Sequence, residues 1–243
     1  MKGIILAGGL GTRLHPLTRI TNKHLLPVYD KPMIFYSIEM LVNAGIDDIM
    51  VITGGTNSGD FLRLLGNGKH FGLKRIHYGY QEGEGGIADA LKICEDFVGK
   101  DKMVVVLGDN IIEKNIKKTV KEFEAQKTGA RILLTKVEHP DQYGVAELTD
   151  HKIKQIVEKP KKFISDLAVI GVYFYPNDVF SKIKTLKPSK RGELEITDVN
   201  NAYLKLGKLT YSILDGWWLD AGESKDTLLD AGVFVKKHGA NHI

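Results

Sequence analysis

The sequence predicts an α/β protein with a Rossmann-like, mostly parallel sheet, helices on both faces and added antiparallel elements in its second half. Three observations carry this. Short, continuous apolar runs recur in the first half (GIILAG, DIMVITGG, MVVVLGDN), as in strands buried on both faces. Segments of helical period separate them, which implies βαβ units. From roughly residue 138 the pattern changes to polar–apolar alternation around turns, as in antiparallel pairs.

The elements follow in order. GIILAG is the first strand. Pro32 opens a helix whose Ile34, Ile38, Leu41 and Val42 share one face, with Gly45 where a C-cap belongs. DIMVITGG and RIHYGYQ are the second and third strands, residues 88–98 a helix, and MVVVLGDN the fourth strand. Ile116, Val120 and Phe123 recur at helical spacing, and ARILLTKV is the fifth strand. GVAELTDHKIKQIVEKP reads as a hairpin turning at Thr149–His151, and AVIGVYFY as another strand. Val179, Ile183 and Leu186 form a helical stripe. ELEITDVNNAYLKLG is a helix ended by Gly207, LTYSIL a strand, and SKDTLLDAGVFVKK a helix with Ser224 as N-cap. There is no repeat, low-complexity segment or linker, so the 243 residues read as one domain, 1–243.

Composition narrows little. Hydrophobic residues make up 43% and charged residues 26%, as in ordinary globular chains. The net charge of +4 is spread along the sequence and suits small anions as well as nucleic acid. No basic stripe with interleaved aromatics argues for nucleic acid. No apolar run of membrane-spanning length and no secretory segment is present, and the single Cys94 sits in an apolar helical stretch as a core residue. The expectation is a cytoplasmic protein with neither nucleic-acid nor membrane partners.

The glycine-rich stretch LAGGLGTRL after the first strand carries the chemistry. It lacks the third glycine of a dinucleotide fingerprint, and no part of the chain matches a P-loop. Glycines still let backbone N–H groups approach phosphates, Arg13 adds a planar charged fork, and Lys23 adds a point charge at the same strand end. The loop resembles the signature of sugar-phosphate nucleotidylyltransferases. Further motifs follow in that family's order: KHLLPVYDKPM, YQEGEGGIADAL, LGDN, YGVAEL, VEKP, RGELEITDVN and WLDAG. The chain is identified as a member of that family over nearly its whole length.

The resemblance implies transfer of a nucleotidyl group from dTTP to glucose 1-phosphate with release of pyrophosphate, opening a route to dTDP-deoxysugars such as dTDP-rhamnose. A UTP-using enzyme and a non-catalytic nucleotide-sensing subunit are the alternatives. Retention of Arg13, Lys23, Asp109, Lys159, Arg191 and Asp220 argues for activity. The part up to about 137 would bind nucleotide and the part from about 138 the sugar phosphate. The nucleotide set is Leu6, Ala7, Gly8, Gly9, Gly11, Thr12, Arg13, Gln81, Gly86 and Asp109. Gln81 offers one acceptor and two donors, enough to read the imide edge of thymine or uracil. EGEGG departs from the proline-containing segment common there, which leaves the choice of base open. The sugar-phosphate set is Asn110, Tyr143, Gly144, Glu158, Lys159, Val169 and Arg191. Arg13, Lys23 and Lys159 are the catalytic candidates, and Asp109 with Asp220 would hold Mg²⁺. Trp217 and Trp218 are read as packing residues, and His15 and His24 have no assigned role. Long members of the family continue past the position of Ile243, where they build subunit contacts and a regulatory site. Catalysis with weakened feedback inhibition is therefore the expectation, and a homo-oligomer is left open.

Overall fold

The computed structural model describes residues 1–242. Along the chain the elements are β1 (Lys2–Ala7), β2 (Pro27–Val28), β3 (Lys31–Pro32), α1 (Met33–Asn43), β4 (Asp48–Gly54), α2 (Ser58–Leu65) and β5 (Arg75–Gln81). There follow α3 (Ile87–Lys92), α4 (Glu95–Val98), β6 (Met103–Leu107), β7 (Asn110–Ile112), α5 (Lys117–Ala125), β8 (Ala130–Lys136), β9 (Gly144–Thr149) and β10 (Lys152–Glu158). The chain continues through β11 (Leu167–Tyr175), α6 (Val179–Ile183), α7 (Ile196–Lys205), β12 (Leu209–Ile213), β13 (Trp218–Asp220) and α8 (Lys225–His238).

β5, β4, β1 and β6 lie side by side, all parallel. The chain leaves β1 for β4 on one side and returns through β6 on the other. A crevice therefore opens beyond the carboxyl ends of β1 and β6, the place where such sheets bind ligands. β11 runs antiparallel to β6 through Val172–Tyr175 and touches β9 at Ala168. Its other edge pairs with β8, which pairs in parallel with β12. The β9–β10 hairpin thus stands at the crevice end of β11. Its two turn residues, Asp150 and His151, have φ of 49° and 57°, the geometry favoured in two-residue hairpins.

Alternation along β1 sends Ile4 and Leu6 into one core with residues of α3, α6 and α7, and Ile5 and Ala7 into another with residues of α1, α2 and α5. Each face of the sheet is thereby covered, which accounts for the unbroken apolar runs. A third, small core joins Met33 and Tyr36 of α1, Ile111, Ala221, and Ala231 and Val235 of α8. It fixes the antiparallel β7–β13 ribbon to the body. Ser224 caps α8 reciprocally with Thr227, at 3.1 and 2.9 Å.

Several expectations change. The helix expected over 88–98 is two short helices, because Ile93 and Cys94 bond back three residues, to Ala90 and Leu91, and tighten the chain between them. Cys94 is fully buried, as a core residue. α6 stops before Leu186, and α7 starts at Ile196 rather than at the ELE triplet. There Leu194 donates to Gly85 and accepts from Ala88, so tertiary bonds hold the triplet as a strap. α2, the β2–β3 pair and the β7–β13 ribbon have no counterpart in the sequence reading. Among the described residues no helix is long and apolar enough to cross a membrane.

Candidate active site

The glycine turn leaves β1 at Ala7. Gly11 has φ 65°, and its carbonyl accepts from Thr18 Oγ1 at 2.7 Å. A Cβ at Gly11 would lie 2.9 Å from Lys23 Cβ, so glycine is what lets Lys23 cross beneath the turn. Asn22 locks that crossing: its Oδ1 accepts from the His24 N–H at 3.0 Å, and its Nδ2 donates to Ala7 O at 3.4 Å. Lys23 Nζ then donates to Asp109 Oδ2 in a buried ion pair.

Asp109 follows β6, where the Gly108 N–H ties to Leu6 O at 2.9 Å. Asp220 comes from 111 residues further along and is delivered by register, since β13 sets it opposite Asn110 and Ala221 N–H donates to Asp109 O at 2.9 Å. Burial opposes the charge of Asp109, but Lys23 and the donors around it outweigh burial and hold it well below the usual carboxylate range. Asp220 moves the other way, raised by burial and by the neighbouring Asp109 charge. Burial likewise works against the Lys23 ammonium, yet the two carboxylates keep it above its usual value. His24 is buried, with Nδ1 2.7 Å from the acceptor Asn22 Oδ1, which assigns the proton to Nδ1. Burial and then Lys23 push its pKa down to about 3, so the ring is neutral.

Two cavities occupy the crevice. One, of about 310 Å³, lies over the glycine turn and is lined by Leu6, Gly8, Gly9, Lys23, Gln81, Gly86 and Asp109. The other, of about 210 Å³, lies toward the hairpin and is lined by Asn110, Tyr143, Gly144, Glu158, Lys159, Val169 and Asp220. Arg13 and Arg191 line both, so the cavities meet at two guanidinium groups. Ala7, Gly11 and Thr12 are outside the lining. Ala7 is buried under the sheet end, and Gly11 and Thr12 shape the turn that aims Arg13.

Details of the walls differ from the sequence reading. Gln81 donates to Gly86 O and Asp89 Oδ2, each at 3.1 Å, so both amide hydrogens are engaged and its carbonyl oxygen, facing Gly8, is left over. Asn110 donates to Asp109 Oδ1 at 3.0 Å, while its Oδ1 accepts from Gly171 N–H and Trp218 Nε1 at 2.9 and 2.7 Å. One Nδ2 hydrogen is left over. Trp218 is therefore more than packing: it fixes Asn110 and meets Tyr143 edge-on. Thr197 Oγ1 donates to Glu158 at 2.6 Å, and Glu195 holds Arg191 at 2.8 Å. Lys159 adopts φ 43°, a left-handed conformation uncommon for residues other than glycine; its N–H donates to Tyr143 O at 2.9 Å. The sequence reading assigned no role to Thr197, Glu195, Glu223 or the Trp218 indole. Thr197 and Glu195 lie inside RGELEITDVN, but only tertiary contacts distinguish them from other helix-entry residues.

A glycine-rich turn at the switch point, a carboxylate pair beside it and a second polar cavity across two arginines make up the candidate active site. Residues 2–238 match the nucleotidyl transferase family, and the chain belongs to it. It is 48% identical over 240 residues to the glucose-1-phosphate thymidylyltransferase of Neisseria meningitidis, spanning 97% of this chain and 83% of that one. The enzyme of the same name from Mycolicibacterium smegmatis is 46% identical over 240 residues, with 97% and 82% covered. Among solved structures, a Bacillus anthracis protein provisionally assigned as a glucose-1-phosphate thymidylyltransferase, in complex with sucrose, is 53% identical, with TM-score 0.93 over 97% of this chain and 95% of that one. A UDP-glucose pyrophosphorylase complexed with UDP-glucose is more distant, at 25% identity and TM-score 0.83, covering 97% and 98%.

Proposed function

We infer that this enzyme joins glucose 1-phosphate to dTTP, giving dTDP-glucose and pyrophosphate. The observation that carries the reading is the meeting of the two cavities at Arg13 and Arg191. Thymidylyltransferases of 45–48% identity support the choice of substrates. An oxygen of the sugar phosphate attacks the α-phosphorus of dTTP, and the bond to the pyrophosphate oxygen breaks in line. Such a reaction needs positioning and charge stabilisation rather than a protein nucleophile. Gly8 and Gly9 bring backbone to the triphosphate, and Gln81 and Gly86 meet the base. Arg13 and Lys23 stabilise charge on the departing pyrophosphate. Glu158, Asn110 and the backbone at Gly144 and Val169 hold the hexose, with Tyr143 as wall. Lys159 and Arg191 bind its phosphate and bring two anions together that would otherwise repel.

Mg²⁺ is part of this reading. Asp109 and Asp220 offer hard oxygen donors side by side, with Lys23 as counter-charge. Among the described residues no group of three or more His, Cys, Asp or Glu side chains could hold an ion. Two carboxylates suffice for Mg²⁺, which completes its shell with phosphates and water. When bound, the ion supplies neutralisation of charge on phosphate oxygens. The product suits pathways to dTDP-deoxysugars such as dTDP-rhamnose, and its substrates are those of the cytoplasm.

The test is pyrophosphate release with Mg²⁺, glucose 1-phosphate and each of dTTP, UTP, ATP, CTP and GTP. Turnover fastest with dTTP is expected. Faster turnover with UTP would move the reading to a uridylyltransferase, and no release with either would overturn it.

A further inference from the structure

Both arginines at the junction of the cavities are engaged by carboxylates. For Arg191 the nearest partner, Glu195, is local, four residues along its own strap, with Glu193 and Glu158 of β10 further off at 3.7 and 3.8 Å. For Arg13 the partner comes from across the crevice. Arg13 Nη1 pairs with Glu223 Oε2, its only ion pair among the described residues. Glu223 lies three residues past Asp220, in the turn between β13 and α8, and its N–H reaches back to Asp220 O at 3.4 Å. The capping box that begins at Ser224 fixes this turn, so Glu223 stands on a rigid support. Arg13 stands on the exposed glycine turn, where its side chain is 57% exposed against 26% for Glu223. The carboxylate thus holds an exposed guanidinium at the edge of the cavity over the glycine turn.

We propose that Glu223 holds Arg13 in the unliganded enzyme and sets the affinity for polyphosphate by competing with it for the guanidinium. The inference rests on Arg13 as a phosphate-binding group. A carboxylate and a phosphate oxygen present the same face to an arginine fork, so the phosphate has to displace Glu223. An exposed ion pair is weak enough for that exchange to be easy: removing the competitor is worth at most about fivefold in affinity. Exchange occurs on binding, before bond breaking, so it bears on ground state and transition state alike and acts on KM more than on kcat.

The experiment is calorimetric titration of inorganic pyrophosphate with Mg²⁺ into wild type, Glu223→Gln, Arg13→Ala and the double variant, alongside the dTTP KM and kcat of the first two. Glu223→Gln is expected to tighten pyrophosphate about threefold to fivefold and to lower the dTTP KM, with the larger part of the change on KM. Glu223→Asp, which keeps the charge, should stay nearer wild type. Arg13→Ala should weaken pyrophosphate binding, and on that background Glu223→Gln should lose most of its effect. If Arg13→Ala weakens binding but Glu223→Gln does not tighten it, the proposal fails and the role of Arg13 stands. An equal gain with and without Arg13 would assign the effect to charge acting through space and also overturn it. Unchanged binding in Arg13→Ala would remove the reading of Arg13 itself, and the proposal with it.

Discussion

Replacing Lys23 by methionine keeps the stem and removes the ammonium. In the native protein the Lys23 side chain is 17% exposed and that of Asp109 9% exposed, with Asp220 beside them. The variant leaves two adjacent carboxylates without their counter-charge. Breaking a buried pair from one side costs about 3–5 kcal/mol. Proton uptake limits the loss. A carboxyl whose pKa is raised in the folded state is most costly above that pKa, and the cost fades as pH falls toward its unfolded value. Metal-free Lys23→Met should therefore trail wild type by about 4 kcal/mol at pH 8 and by clearly less at pH 5.5. Urea unfolding at both pH values checks this. A deficit under about 1 kcal/mol at pH 8, the size of a surface pair, or a deficit independent of pH would refute the reasoning.

Arg13→Ala should lower kcat by roughly 10²–10³, comparable with loss of one preorganised electrostatic group, and near-native turnover would remove it from the mechanism. Gly86 has φ 91°, and a Cβ there would lie 2.8 Å from Leu194 O. Gly86→Ala should displace the loop that Gln81 anchors and raise the dTTP KM more than the glucose 1-phosphate KM; equal effects on both would count against that loop as the base site. At Asp48 burial opposes the charge, but Lys2 at 2.6 Å, with Arg75 and His77, outweighs it and holds the carboxyl below its usual range. The stabilisation is present above the unfolded pKa near 3.9 and is lost as pH falls through the lower folded value. Asp48→Asn should then be about 1 kcal/mol less stable at pH 7, with the gap closing below about pH 3; urea melts at both pH values test it.

The order of the elements and the family were legible in the sequence because the physics behind them is local. β1, β4 and β6 are apolar at consecutive positions because both faces are buried, and that pattern survives without knowledge of their neighbours. The glycine turn, Arg13 and Lys23 lie within one short stretch and stay together in the fold. Helix limits were less legible, because the ELE triplet has helical composition but is held extended by the bonds of Leu194 to Gly85 and Ala88. That competition between propensity and tertiary bonding has no trace in spacing.

By itself, then, the sequence determined which residues carry charge at strand ends and which segments must be buried. Only the tertiary structure decided whom those charges face. Asp220 meets Asp109 through the register of two three-residue strands, too short to announce themselves by alternation. Glu223 meets Arg13, and the Trp218 indole meets Asn110, across more than a hundred residues of chain. Burial is written in each residue's own polarity, whereas a pairing across the crevice depends on where two distant backbones come to rest, which no local pattern encodes.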